Sequence, residues 1–88
     1  MDENKIIITV SGTDKTGIVA AVSTLLAKHS VNIEDIKQTL MQGHFVMFML
    51  CDIKNANVNF KDLKNTLIEE GNKLELEIWV QKKEFLKS

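Results

Sequence analysis

The stretch His44–Ile53 reads HFVMFMLCDI and constrains the fold more than any other part of the chain. Its alternation places Phe45, Met47, Met49 and Cys51 on one face and Val46, Phe48 and Leu50 on the other. A strand that is apolar on both faces belongs in the middle of a sheet and needs cover on both sides. Whatever folds around it must supply flanking strands, a helical layer and something for the opposite face.

The remaining elements follow from local pattern. Lys5–Ser11 (KIIITVS) puts Ile6, Ile8 and Val10 on one face and is rich in β-branched residues, so it predicts a strand. The turn GTDKTG carries two of the four glycines. After it, Ile18, Val22, Leu25, Leu26 and His29 recur at helical spacing, predicting a helix over about Gly17–His29. Ser30-Val31-Asn32 reads as a short connection. Ile33–Met41 (IEDIKQTLM) mixes polar and apolar residues as an edge strand does, and Gln42-Gly43 predicts a tight turn with φ > 0 at Gly43. Lys54–Asn57 reads as a loop. Asn57 or Asn59 can cap a second helix with Asp62 in its first turn, Phe60, Leu63 and Leu67 along its stripe and Gly71 as its C-cap. Leu74–Gln81 (LELEIWVQ) alternates strictly and predicts the last strand, and Lys82–Ser88 is expected to be a charged tail.

The order β-α-β-β-α-β predicts an α+β, ferredoxin-like sandwich. It has a four-stranded antiparallel sheet with two helices on one face. The expected organisation is one domain over 1–88, with a core at 5–81 and a tail at 82–88. The first and third strands should be central. Apolar residues on both faces of Phe45–Cys51, with Ile7 and Trp79 on the odd faces of their strands, suggest that a partner covers the helix-free face, and a homodimer is the simplest answer.

Composition removes several function classes. The 11 basic residues are all Lys, against 12 acidic ones, and the absence of Arg argues against direct nucleic-acid binding. No apolar run approaches the ~20 residues that span a bilayer, so no membrane partner is expected. A single Cys51 and no leader pattern fit a cytoplasmic protein. Cys51 reads as a buried thiol, and Met41, Met47 and Met49 as core or interface filling. His29 and His44 stand on different elements, so neither a metal nor another cofactor is expected.

With DKTGIVAAVSTLLA after the first strand and VNIEDI entering the second, the chain resembles the ACT domain family over Lys5–Gln81. The likeness is to its free-standing members, similar to the amino-terminal part of the glycine cleavage system's transcriptional repressor. The resemblance implies a non-catalytic regulatory module of amino-acid metabolism. It would bind an amino acid or similar small effector where the first loop meets a neighbouring subunit, and would act through a metabolic enzyme or regulator. Asp14, Lys15, Thr16 and Gly17 match the family's ligand loop, with Ile18 following. Asn32 matches the polar residue that opens the second strand, with Ile33 after it. Many relatives carry Pro where Thr16 stands, and several effector-binding ones carry Asn at the place of Asp14.

The residue types suit such a ligand. A helix beginning at Gly17 offers unpaired N–H groups and a positive dipole end to a carboxylate, and lacks a Cβ in the way. Asp14 can accept from an ammonium, and the Asn32 amide both donates and accepts. The same residues also suit plainer roles. Gly12 and Gly17 can shape a strand-to-helix turn, Asp14 or Thr16 can cap the helix, and Asn32 can serve a turn. Among other classes, an acylphosphatase-like enzyme would need a guanidinium. A copper chaperone would need thiols in the first loop. RNA recognition would need aromatics on one face in a basic setting. A ligand-free protein–protein adaptor is the alternative that the residues leave open.

Overall fold

A computed structural model describes residues 4–13 and 17–83. The elements run β1 (Lys5–Thr13), α1 (Ile18–Lys28), β2 (Asn32–Met41), β3 (His44–Asp52), α2 (Phe60–Lys73) and β4 (Glu77–Lys82). The four strands form one antiparallel sheet in the order β2-β3-β1-β4. The ferredoxin-like order and the central places of β1 and β3 agree with the sequence reading.

The core lies between the sheet and its two helices. Ile6, Ile8 and Val10 of β1, Met47, Met49 and Cys51 of β3 and Val80 of β4 meet Ile18, Val22 and Leu26 of α1 and Leu63 and Leu67 of α2. No polar side chain is buried among the described residues. The sandwich is therefore held by apolar burial, worth roughly 25 cal/mol for each Å² removed from water.

Several boundaries differ from the sequence reading. The first strand continues two residues past Ser11, because Gly12 and Thr13 still pair with Phe45 and His44 across the sheet. Asn32 belongs to β2 and pairs with Asp52, so it is a strand residue rather than part of the connection. Beside it, β2 bulges between Ile33 and Asp35, which inserts Glu34 as an extra residue. Gly71 is not a C-cap. It is buried inside α2, which runs on to Lys73. A Cβ there would lie 2.9 Å from Ile78 Cγ1 and 3.1 Å from the Leu76 carbonyl oxygen, so Gly71 lets the helix lie against the β4 segment. Leu74–Leu76 form the reversal, and the positive φ falls on Glu75. The last strand accordingly starts at Glu77 rather than Leu74.

The caps also sort themselves. Asn59 caps α2, accepting from the Asp62 N–H at 2.8 Å. Asn57 instead ties the loop to the end of α1. Its N–H donates to the His29 carbonyl at 3.0 Å, and its Nδ2 donates to the Lys28 carbonyl at 3.3 Å. The hairpin between β2 and β3 has positive φ at both Gln42 (51°) and Gly43 (83°), the pattern of a type I′ turn. The tail residues from Glu84 onward, with Phe85 and Leu86, lie outside the described residues.

Candidate functional site

The two glycines of the first turn have different tasks. Gly12 sits in β1, where a Cβ would come 2.6 Å from Leu76 Cδ2, so it serves close packing against the β4 lead-in. Gly17 is the N-cap of α1 with φ 87° and ψ 3°, a left-handed backbone that favours glycine. It is exposed, and nothing lies within 4 Å of where its Cβ would be. Among the described residues, α1 lacks the side-chain cap that Asn59 gives α2.

Asp14, Lys15 and Thr16 lie outside the described residues. Ile18 follows Gly17 and is buried in the core, so only its backbone is available to a ligand. Asn32 and Ile33 are elsewhere. They open β2 at the end of the sheet where α1 finishes, with α1 between them and Gly17. Eleven residues at 1.5 Å rise make that separation about 16 Å. The Asn32 side chain is exposed, whereas Ile33 turns inward opposite Cys51. A single chain thus does not bring the two halves of the expected site together.

Each end of the sheet has its own polar depression. At the Asn32 end, a cavity of about 380 Å³ is lined by Ser30, Val31, Asn32, Asp52, Lys54 and Asn55. Lys5 binds Glu34 there and lies 3.4 Å from Asp52. The hydrogen bond from Lys5 to Glu34, helped by Asp52, raises the Lys5 pKa. The Lys54 backbone N–H, at 2.8 Å, is the main cause that lowers the pKa of Asp52, with Lys5 assisting. The bulge places Glu34 where it can reach Lys5. Beneath them, burial pushes the Cys51 thiol up to about 12, with the Glu34 charge adding to it.

At the Gly17 end, a second cavity of about 460 Å³ is lined by Ser11, Gly12, Thr13, His44, Glu75 and Glu77. The Ser11 hydroxyl and His44 Nε2 lie 2.7 Å apart. This cluster is missing from the sequence reading because it depends on register. Thr13 pairs with His44 and Ser11 with Glu77, which become visible only once β1, β3 and β4 are aligned. The tight Gln42-Gly43 turn could have placed His44 at the sheet's end, but not its neighbour. Among the described residues no group of His, Cys, Asp and Glu could hold a metal ion, and no helix is long and apolar enough to cross a membrane.

The sequence profile of the ACT domain matches residues 4–81, nearly the whole chain. The chain belongs to the ACT domain family. It is 43% identical over 84 residues to a UPF0237 protein of Methanocaldococcus jannaschii, covering 96% of this chain and 93% of that protein. The structure of an ACT domain protein from Streptococcus pneumoniae superposes with a TM-score of 0.83 at 36% identity, over 96% of this chain and 94% of that one. A glycine cleavage system transcriptional repressor has a TM-score of 0.77 at 26% identity, over 88% of this chain and 44% of its own. The free-standing ACT character expected from DKTGIVAAVSTLLA and VNIEDI thus agrees with the relatives.

Proposed function

We propose that this ACT domain is a regulatory, non-catalytic module that binds an amino acid or similar small effector at a site shared between two copies of the chain. The loop at Asp14–Gly17 of one copy and Asn32 at the head of β2 in the other would form the site. One observation carries this reading. Gly17 and Asn32 stand about 16 Å apart, at opposite ends of α1. The ammonium and carboxylate of an α-amino acid share one carbon, so one chain cannot offer both ends to a single ligand. Two copies, each lending its opposite pole, can.

In this arrangement the N–H groups at the start of α1 receive the carboxylate. Asp14 receives the ammonium, and Asn32 reads the remaining polar group. The Ile18 and Ile33 side chains hold these backbones to the core. The output passes to another protein, an enzyme or regulator of amino-acid metabolism in the cytoplasm. Screening the twenty amino acids by thermal shift tests the reading. A ligand at 100 times its Kd adds about 2.7 kcal/mol to stability and visibly raises Tm. Asn32→Ala and Asp14→Ala should abolish the shift while keeping the unliganded Tm close to the parent's.

A second reading is a ligand-free adaptor, favoured by the exposed Phe48 and Trp79 on the helix-free face. It requires that no amino acid or simple metabolite move Tm while the chain still associates.

A further inference from the structure

The cavity at the Asn32 end has walls that are already fixed. One wall is the turn that leaves α1. Ser30 takes φ 59° there, its N–H donates to the Ala27 carbonyl at 3.0 Å, and the Val31 N–H donates to the Leu26 carbonyl at 3.0 Å. The other wall is the loop over residues 53–57. The Ala56 N–H closes it onto the Ile53 carbonyl at 3.1 Å, and the two bonds from Asn57 to the Lys28 and His29 carbonyls hold it against the end of α1. The floor is the Asn32–Asp52 pair of the β2–β3 ladder. Ser30, Asn32, Lys54 and Asn55 are exposed along this rim. Groups held in this way lose little freedom when a ligand arrives.

The charges around the cavity are unequally committed. Asp52 is engaged at both oxygens, since Oδ1 accepts from the Lys54 N–H at 2.8 Å and Oδ2 lies 3.4 Å from Lys5 Nζ. Lys5 in turn also binds Glu34. Among the described residues the Lys54 ammonium enters no ion pair. Beside it stand the Asn32 and Asn55 amides and the Ser30 hydroxyl, each neutral and each able to donate. One uncommitted cation among neutral donors suits a group that only accepts, such as a carboxylate. In the shared site the other copy's loop and α1 take the α-carboxylate and the ammonium. What reaches this cavity is therefore the effector's side chain.

We infer that the effector is an acidic amino acid whose side-chain carboxylate enters this cavity and pairs with Lys54, flanked by Ser30, Asn32 and Asn55. The inference rests on the shared-site reading above and adds the class of its ligand. A neutral side chain would cover the Lys54 charge without pairing it, and a polar site rejects an analogue that leaves its groups unpaired.

Calorimetry on the full-length chain with aspartate, glutamate, asparagine and glutamine tests this. One of the two acids should bind, and its amide should bind about tenfold more weakly or worse, the worth of a hydrogen bond between charged groups. Lys54→Met should remove that preference by weakening the acid and leaving the amide unchanged, and Lys54→Gln should do the same. The bond to Asp52 comes from the Lys54 backbone and survives both substitutions, and the unliganded Tm reports that the fold is kept. Lys64→Met removes the same charge from an exposed position on α2 and should bind as the parent does. A neutral amino acid that binds as tightly as the acid overturns the acidic class and leaves the shared site standing. So does a Lys54→Met chain that loses acid and amide by the same factor, because Lys54 would then hold the α-carboxylate. If none of the twenty amino acids moves Tm, the effector reading falls and this inference falls with it.

Discussion

At the scale of residues, two glycines make separable predictions. Gly71→Ala forces a methyl against Ile78 and the Leu76 carbonyl, and overpacking of this kind costs about 1–3 kcal/mol. Gly17→Ala meets no neighbour, yet holds alanine at φ 87°, at a cost of about 1–2 kcal/mol. Urea midpoints measure both, and only Gly17→Ala should also weaken a ligand that approaches the α1 backbone. Cys51 makes a different prediction. With its thiol pushed up to about 12 and no exposure, it should resist alkylation at pH 8 in the folded state and label rapidly once denaturant opens the core. Asp52 contributes to acid sensitivity. Its folded pKa lies below the ordinary carboxylate range, so its stabilisation is present above that range and is lost as pH falls through the folded value. Asp52→Asn should therefore flatten the loss of Tm below about pH 4 while leaving its shape near neutrality unchanged.

At the scale of elements, what is legible in the sequence is what is local. Ile6, Ile8 and Val10 announce β1, Ile18, Val22 and Leu26 announce α1, and Asn59 with Asp62 announces the start of α2. Asn59→Ala should cost about 1 kcal/mol, measured by thermal or urea unfolding, since it removes the bond to the Asp62 N–H. Asn57→Ala tests the other asparagine and should loosen the junction between the loop and the end of α1. What the sequence conceals is what depends on distant partners. Gly71 looks like a helix stop because glycine commonly ends helices, but its neighbour Ile78 lies across a turn. Leu74 and Leu76 continue the alternation of β4, yet the chain reverses through them. The Ser11–His44 contact arises from a register that no local pattern encodes. The candidate site residues stand out by type, Gly17 by its turn and Asn32 by its place after α1. Their separation along α1 required the sheet.

For the whole molecule, the feature with most consequence is a sheet that the described residues cover on one side only. Ile7, Val46 and Leu50 are half-buried and Phe48 and Trp79 exposed, so among the described residues nothing covers the second face of the apolar strand His44–Asp52, and in the proposed dimer a second copy does. Placing a charge there by Trp79→Lys should halve the mass in solution without lowering the helical signal. The proposed site also needs two copies, because α1 separates Gly17 from Asn32 within one chain. Mixing variants tests this most directly. Asp14→Ala and Asn32→Ala chains should each fail to bind the amino acid found by thermal shift. Refolded together, they should form mixed dimers with one intact site, since one interface joins the unaltered loop to the unaltered Asn32. Calorimetry of the mixture should then recover binding at about one quarter of the parent stoichiometry, as half of randomly assorted dimers are mixed and each has one site of two. No recovered binding in a mixture shown to contain mixed dimers would contradict a site shared between chains.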